Sequence, residues 1–199
     1  MDFMDPAGSM TGQLLPTGSP VDTIVLPDGR QFLVSCIDAA NPFVFVPYDQ
    51  VGLNASATAD DIRDPALVAT LMAIRAIASM KMGLSTNLVD AARTMGTPKI
   101  ALVAPSPSAE SDILIRAFSM GKPHPTIQMT GAVCVGAASA IPGTVVNAII
   151  TGKEAVVIGH ASGTMVVTGR VDCSGDQPEI LSGSVYRTAR RLMEGFVMV

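Results

Sequence analysis

The chain has 199 residues, 17 acidic against 13 basic, and a formal net charge of -4. Nearly half the residues are hydrophobic (48%), yet only 4% are aromatic and there is no Trp, so Ala, Val, Ile, Met and Gly must fill the core. A chain of this size buries roughly two-thirds or more of its unfolded surface and needs no staple. The charge balance excludes the basic stripe that nucleic-acid binding requires. The longest apolar stretch, residues 131–141, is too short to span a bilayer. Three cysteines, Cys36, Cys134 and Cys173, show no metal-ligand spacing and point to a reducing compartment. The first residues, with two aspartates and Pro6, lack the basic and apolar regions of a signal peptide, so a cytoplasmic location is expected.

Residues 1–20 read as loop, punctuated by Pro6, Gly8, Gly12, Pro16, Gly18 and Pro20. Residues 21–26 and 31–37 flank Pro27-Asp28-Gly29 and read as a hairpin with Phe32, Val34 and Cys36 on one face. Residues 43–46 read as a buried strand. Asp60 and Asp61 are expected to cap a helix whose Leu67, Leu71, Ile74 and Ala78 form a core stripe, ended by Gly83. Strands are expected at 99–104 and 113–118, then an irregular segment over 119–125. Residues 130–141 read as a helix of Gly, Ala, Val, Cys and Ser with no polar face, closed by Pro142-Gly143. A helix apolar all round is buried all round, so it should lie at the centre with strands about it. Three further strands are expected at 155–158, 165–170 and 179–186, and a last one at 195–199. The fold class is α+β, a curled mixed or antiparallel sheet wrapped round a central hydrophobic helix.

The stretch from Ser119 through Met120, Gly121 and His124 into Thr130 and Gly131 is the best candidate site. A buried helix leaves its first N–H groups unpaired, and its dipole favours an anion there. Gly131 would let a ligand approach the backbone, and Thr130 adds a hydroxyl donor. Thr130 as a plain N-cap and Gly131 as a packing glycine is the competing reading. His124, between two prolines, is either a restrained donor at a cleft or an exposed loop residue. His160 lies in a small-residue turn with Ser162, and no carboxylate or Cys stands at a ligand spacing to make a metal site with either histidine. Cys134 reads as an inert core thiol. Arg187, Arg190 and Arg191 form a small basic cluster, read as a solvated face.

Several segments together resemble the PrpF family, which includes 2-methylaconitate isomerases, methylitaconate Δ-isomerases and 4-oxalomesaconate tautomerases. They are residues 3–10, containing Ser9 and Met10, then Pro16-Thr17-Gly18, residues 38–42, Phe45-Val46, Ile74-Arg75, Met82-Gly83-Leu84, Thr97-Pro98-Lys99, residues 119–122, residues 141–144, residues 160–164, residues 187–190 and residues 192–195. They are collinear over nearly the whole chain.

The resemblance implies the second, C-terminal half of a diaminopimelate epimerase-like fold. Each half is a curled sheet round a helix, with the substrate between the halves. Residues 1–20 would then be an inter-domain loop or the end of a missing N-terminal half, 21–186 the second domain, and 187–199 a segment reaching the missing one. It implies an isomerase of small unsaturated tri- and dicarboxylates that needs no cofactor, with Ser9, Met10, Ser119, Met120, Gly121, His124, Thr130, Gly131 and Ser162 on one wall of the pocket. The family's acid/base pair, a Lys and a Cys, belongs to the first half and has no counterpart here; where related epimerases carry a second Cys, this chain has Gln128. The alternative expectation is a non-catalytic module that binds a carboxylate or self-associates as a homodimer.

Overall fold

The structure, a computed structural model, describes residues 1–186 and 190–196. Ten strands and four helices occur among them in the order β1 Asp2–Met4, β2 Asp22–Val25, β3 Gln31–Asp38, β4 Pro42–Pro47, α1 Ala59–Arg63, α2 Pro65–Lys81, α3 Leu88–Arg93, β5 Lys99–Pro105, β6 Ile113–Ser119, β7 Lys122–Pro123, α4 Met129–Ala140, β8 Ala155–His160, β9 Gly163–Asp172 and β10 Glu179–Val185. One mixed sheet runs in the order β1-β10-β9-β8-β6-β5-β4-β3-β2, with β7 paired to β6. The β4–β5 and β6–β8 pairs are parallel and the others antiparallel. The sheet curls without closing. Just past β1, Ala7 makes an isolated bridge to Ala39 beyond β3.

The middle strands are covered on both faces, so they read as continuous apolar runs. Ile37, Phe43, Phe45, Ala101, Val103, Ile113, Ile115 and Ala117 face α4. Their alternates, Val34, Cys36, Val44, Val46, Ile100, Leu102, Leu114 and Phe118, face α2. This alternation follows from the two-residue period of a strand. The expected face of Phe32, Val34 and Cys36 is thus found against α2.

Helix α4 is buried continuously from Gly131 to Ser139 and sits against β9, β10, β3, β8 and β4. Its small residues are what permit this. A Cβ on Gly169 would lie 2.3 Å from the main chain of Gly136, and one on Gly183 would lie 2.6 Å from Val133. At its C-terminus, orphan carbonyls are met from the following turn. Thr144 Oγ1 donates to Ala138 (2.6 Å) and Asn147 Nδ2 to Ser139 (2.7 Å).

Four sequence expectations are corrected. Residues 1–20 contain β1, which pairs with β10, because the edge of β10 offers free ladder groups. The caps near residue 60 are Thr58, in a reciprocal capping box with Asp61, and Asp64, which accepts from Ala66 and Leu67 N–H; Asp60 and Asp61 lie in the first turn of a separate short helix. The 119–125 segment is irregular only at His124 and Pro125: Met120 and Gly121, both at positive φ (52° and 74°), make a two-residue hairpin turn joining β6 to β7. Helix α3 lay unseen between Gly83 and Pro98, since six residues give too short a period to read. Of the strand expected at 195–199, Gly195 and Phe196 are not in a strand, and residues 197–199 lie outside the described residues, as does Arg187 of the basic cluster.

The Gly136–Gly169 contact makes a direct prediction. Gly169→Ala should destabilise the fold by about 3 kcal/mol, the upper range for overpacking a tight core. Gly96→Ala, where a Cβ meets nothing within 4 Å, should stay within about 0.5 kcal/mol. Urea midpoints of the two variants test the contrast.

Candidate functional site

The site-forming end of the sheet is set by α4. Its N-cap is Gln128, not Thr130, and Gln128 makes no side-chain capping bond. The first main-chain bond of the helix runs from Ala132 N–H to the Gln128 carbonyl at 2.9 Å. The N–H groups of Met129, Thr130 and Gly131 find no acceptor among the described residues. No acidic side chain lies in this first turn to meet the helix dipole. The amide N and O of Gln128 are buried there without a partner. Thr130 and Gly131 therefore sit inside the first turn, and Gly131 is a close-packing glycine as well, since a Cβ on it would lie 2.5 Å from the Phe43 ring.

The hairpin turn places Ser119 and Lys122 opposite each other. Ser119 Oγ lies 3.4 Å from Lys99 Nζ, which also donates to the Gly96 carbonyl at 3.3 Å. Burial pushes the Lys99 ammonium below its ordinary pKa. Met120 is exposed, and Gly121 packs towards Met95 and Met72. Lys99 is held from behind by Arg75 of α2. That guanidinium, 2% exposed, donates to the carbonyls of Ala91 (2.5 Å), Thr94 (3.0 Å) and Thr97 (3.2 Å), with no carboxylate partner. Its charge fixes the segment that carries Lys99 by binding three orphan carbonyls.

His124 has its Nδ1 beside Thr126, 3.2 Å from the N–H and 3.0 Å from the carbonyl. It borders a cleft of about 420 Å³ that Arg63, Arg116 and Ala161 also line. Ser162 joins this neighbourhood, donating its hydroxyl to the Pro125 carbonyl at 2.7 Å. Ser9 and Met10 are held differently. The carboxylate of Asp38, fully buried, accepts from Ser9 Oγ (2.6 Å), Met10 N–H (2.9 Å), Thr11 N–H (2.8 Å) and Thr11 Oγ1 (2.8 Å). Four donors let a carboxylate stay buried with no cation. The Ser9 hydroxyl is committed to that anchor, while the Met10 side chain is exposed.

Cys134 lies behind the first turn of α4, its Sγ 2.9 Å from the carbonyls of Ala39 and Asn41. Burial pushes its thiol up to about 12, so no nucleophile or proton shuttle exists there near neutral pH. Among the described residues no group of three His, Cys, Asp or Glu is placed to hold a metal ion. No described helix is long and apolar enough to cross a membrane. Arg191 pairs with Glu194 at 2.7 Å with both side chains largely exposed, a solvated pair. A concavity of about 790 Å³ beside Arg30 and Gln50 is lined by Asp60, Asp61 and Asp64 and holds none of the expected site residues. Its acids disfavour an anion.

Sequence reasoning missed Asp38, Arg75 and Lys99 as organisers of this end. Each acts across strands or helices far apart in the chain, and only Arg75, charged within an apolar helix, carries a local signal.

Two predictions follow from these anchors. Asp38→Ala leaves four donors unmet and should cost about 3 kcal/mol, with residues 8–13 becoming protease-sensitive; Asp38→Asn, which keeps an accepting oxygen, should cost less. Buried thiols also give a pH signature. An unfolded thiol ionises near pH ~8.5, whereas folded Cys134 does so at about 12, so the unfolded state loses its proton first. That stability is complete below pH ~8.5 and is lost as pH rises towards 12. Urea midpoints from pH 8 to 10 should fall, and fall less steeply in Cys134→Ala.

Comparison with known proteins covers the whole chain. Residues 1–199 match the PrpF protein family. The chain is 38% identical to the 2-methyl-aconitate isomerase of Shewanella oneidensis and 35% identical to the 3-methylitaconate isomerase of Eubacterium barkeri, covering all of this chain and 54% and 56% of those proteins. The crystal structure of a methylitaconate-delta-isomerase superposes with a TM-score of 0.85 at 35% identity, over 99% of this chain and 54% of that one. The chain thus spans about half the length of the curated relatives it matches. With its whole length accounted for by that match, the chain belongs to the PrpF family, whose named relatives here are isomerases.

Proposed function

We propose that this chain is the substrate-binding, C-terminal half of a PrpF-type isomerase acting on small unsaturated di- and tricarboxylates. In this reading it is one half of a diaminopimelate epimerase-like two-domain fold, with residues 21–186 as the domain proper. The observation that carries the reading is the first turn of α4. It offers three N–H groups without acceptors and no acidic side chain, in a chain whose relatives are named for methylaconitate and methylitaconate.

The chemistry asks for such a surface. A base removes a proton from a carbon next to the unsaturation, and the electron pair spreads into the adjoining carboxylate as a dienolate. A proton then returns at another carbon, so atoms and charge balance. Donors fixed in advance where that negative charge grows lower the barrier. In this reading Thr130 and Gly131 supply the helix N–H donors, and Ser119 adds a hydroxyl from the sheet row that begins at Phe43, whose ring packs on Gly131. At the first turn of α4 itself, Cys134 is buried and neutral and Gln128 does not titrate, so neither transfers a proton. We assign the proton-transfer groups to the portion of the relatives that this chain does not span.

Titration of the chain with trans-aconitate, followed by amide N–H shifts, tests the assignment. Saturable shifts should be largest at residues 129–131 and 119–121, with no isomerisation of the ligand by the chain alone. Absent binding, or shifts confined to other surfaces, would overturn it.

A further inference from the structure

The strand register puts four side chains in one row across the sheet. Phe43 of β4 is paired with Lys99 of β5. The next pair inward, Ile100 with Phe118, sets Lys99 beside Ser119 of β6, as their 3.4 Å contact attests. Ser119 is paired in turn with Lys122 of β7. Residues in register share a face, and that face is fixed by their neighbours two positions along: Phe43 itself, Ala101 and Ala117 all belong to the core against α4. The row Phe43, Lys99, Ser119, Lys122 is therefore the last one on the α4 side. It begins at the ring that touches Gly131 in the first turn of the helix.

Two ammonium groups and the positive end of a helix dipole thus share one side of the sheet at one end. Such an arrangement favours an anion over a neutral or cationic group on that side. Neither ammonium has a compensating acid, for among the described residues the ion pairs of lysine are Lys81 with Asp22 and Lys153 with Asp112. Asp38, the carboxylate at the end of β3, has its oxygens committed to Ser9, Met10 and Thr11. Lys99 is also partly desolvated and positioned by fixed neighbours, its stem starting at a strand end that Arg75 secures through the Thr97 carbonyl. A lysine held this way has lost part of its rotamer freedom before a ligand arrives, so less is lost on binding.

We propose that Lys99 and Lys122 are substrate-binding residues. Together with the Ser119 hydroxyl they bind one carboxylate of the ligand whose other end meets the first turn of α4. The inference rests on the carboxylate-binding reading above and adds to it the cationic contacts that select a doubly or triply charged ligand over a singly charged one. Lys99 is the principal contact, being the less hydrated ammonium. Lys122, exposed on the hairpin, adds a weaker and more salt-sensitive attraction.

The test uses the same trans-aconitate titration on Lys99→Met, Lys122→Met and Lys99→Arg, each first checked for an unchanged thermal midpoint and amide spectrum. Lys99→Met should weaken binding about tenfold or more and Lys122→Met about threefold, the scale of losing a charge-assisted bond and a solvated charge. Lys99→Arg, which keeps the charge, should recover most of the loss. Crotonate, with one carboxylate, should bind weakly to the unmodified chain and be nearly indifferent to the Lys99→Met change. If both Met variants bind trans-aconitate within twofold of the unmodified chain, the lysine assignment is wrong while the helix site stands. If the unmodified chain binds no trans-aconitate, both readings fall together.

Discussion

The depth to which α4 sinks into the sheet governs everything else in this fold. Gly136 and Gly169 bring helix and strand main chains into contact, and neither position has room for a single added carbon. A helix brought so close is covered on every side, and its nine consecutive buried residues, Gly131 to Ser139, are small or apolar, with the Ser139 hydroxyl donating back to the Gly136 carbonyl. The cost of that depth appears at the two ends. The C-terminal carbonyls are met by Thr144 and Asn147, side chains supplied by the turn after Pro142. The first N–H groups, of Met129, Thr130 and Gly131, meet no acceptor among the described residues. One end of the helix is closed by the fold, and the other is the end we propose for the ligand.

The surrounding elements keep that open end in place by polar anchors instead of apolar packing. Asp38 gathers four donors from the opening segment, and Arg75 gathers three carbonyls from the segment before β5. Each is a charge buried with hydrogen bonds but no counter-ion, so each constrains geometry through the number of its partners. Cys134 adds a third tie, its thiol against the Ala39 and Asn41 carbonyls in a turn where Ala40 takes a positive φ of 66°. Burial that keeps this thiol protonated makes it a donor and removes it from chemistry.

Much of this was legible in sequence, for a physical reason. The central helix announces itself because a run of Gly, Ala, Val, Cys and Ser ended by Pro142-Gly143 has only one place to go. The strands of the β4–β6 region read from their continuous apolar runs. What was not legible depends on register. Lys99 looks like an ordinary strand-end lysine until β4, more than fifty residues earlier, is laid parallel beside it across three helices. The Met120-Gly121 turn escaped notice because methionine rarely takes positive φ, and a tight hairpin is ordinarily signalled by Asn-Gly or Asp-Gly. The Thr58 and Asp64 caps were displaced to Asp60 and Asp61 because α1 and α2 meet at a single residue, Asp64, and their patterns merge in sequence.

The separation of binding from proton transfer has its own logic. A surface built of helix N–H groups and lysines stabilises negative charge and keeps any carboxylate upon it ionised. The same field would depress the pKa of a general acid placed within it, so that near neutral pH the group would already have lost the proton it must deliver to carbon. A thiol in the open would become a thiolate there; the thiol that does lie near is buried and stays neutral. In the proposed reading, the wall carried by this chain is therefore suited to hold an anion through the reaction and poorly suited to protonate it. Proton donors and acceptors act best from the opposite side of the ligand, where their own surroundings set their pKa values. An unsaturated carboxylate between two such surfaces would, in the proposed reading, meet a fixed positive field on one face and a movable proton on the other.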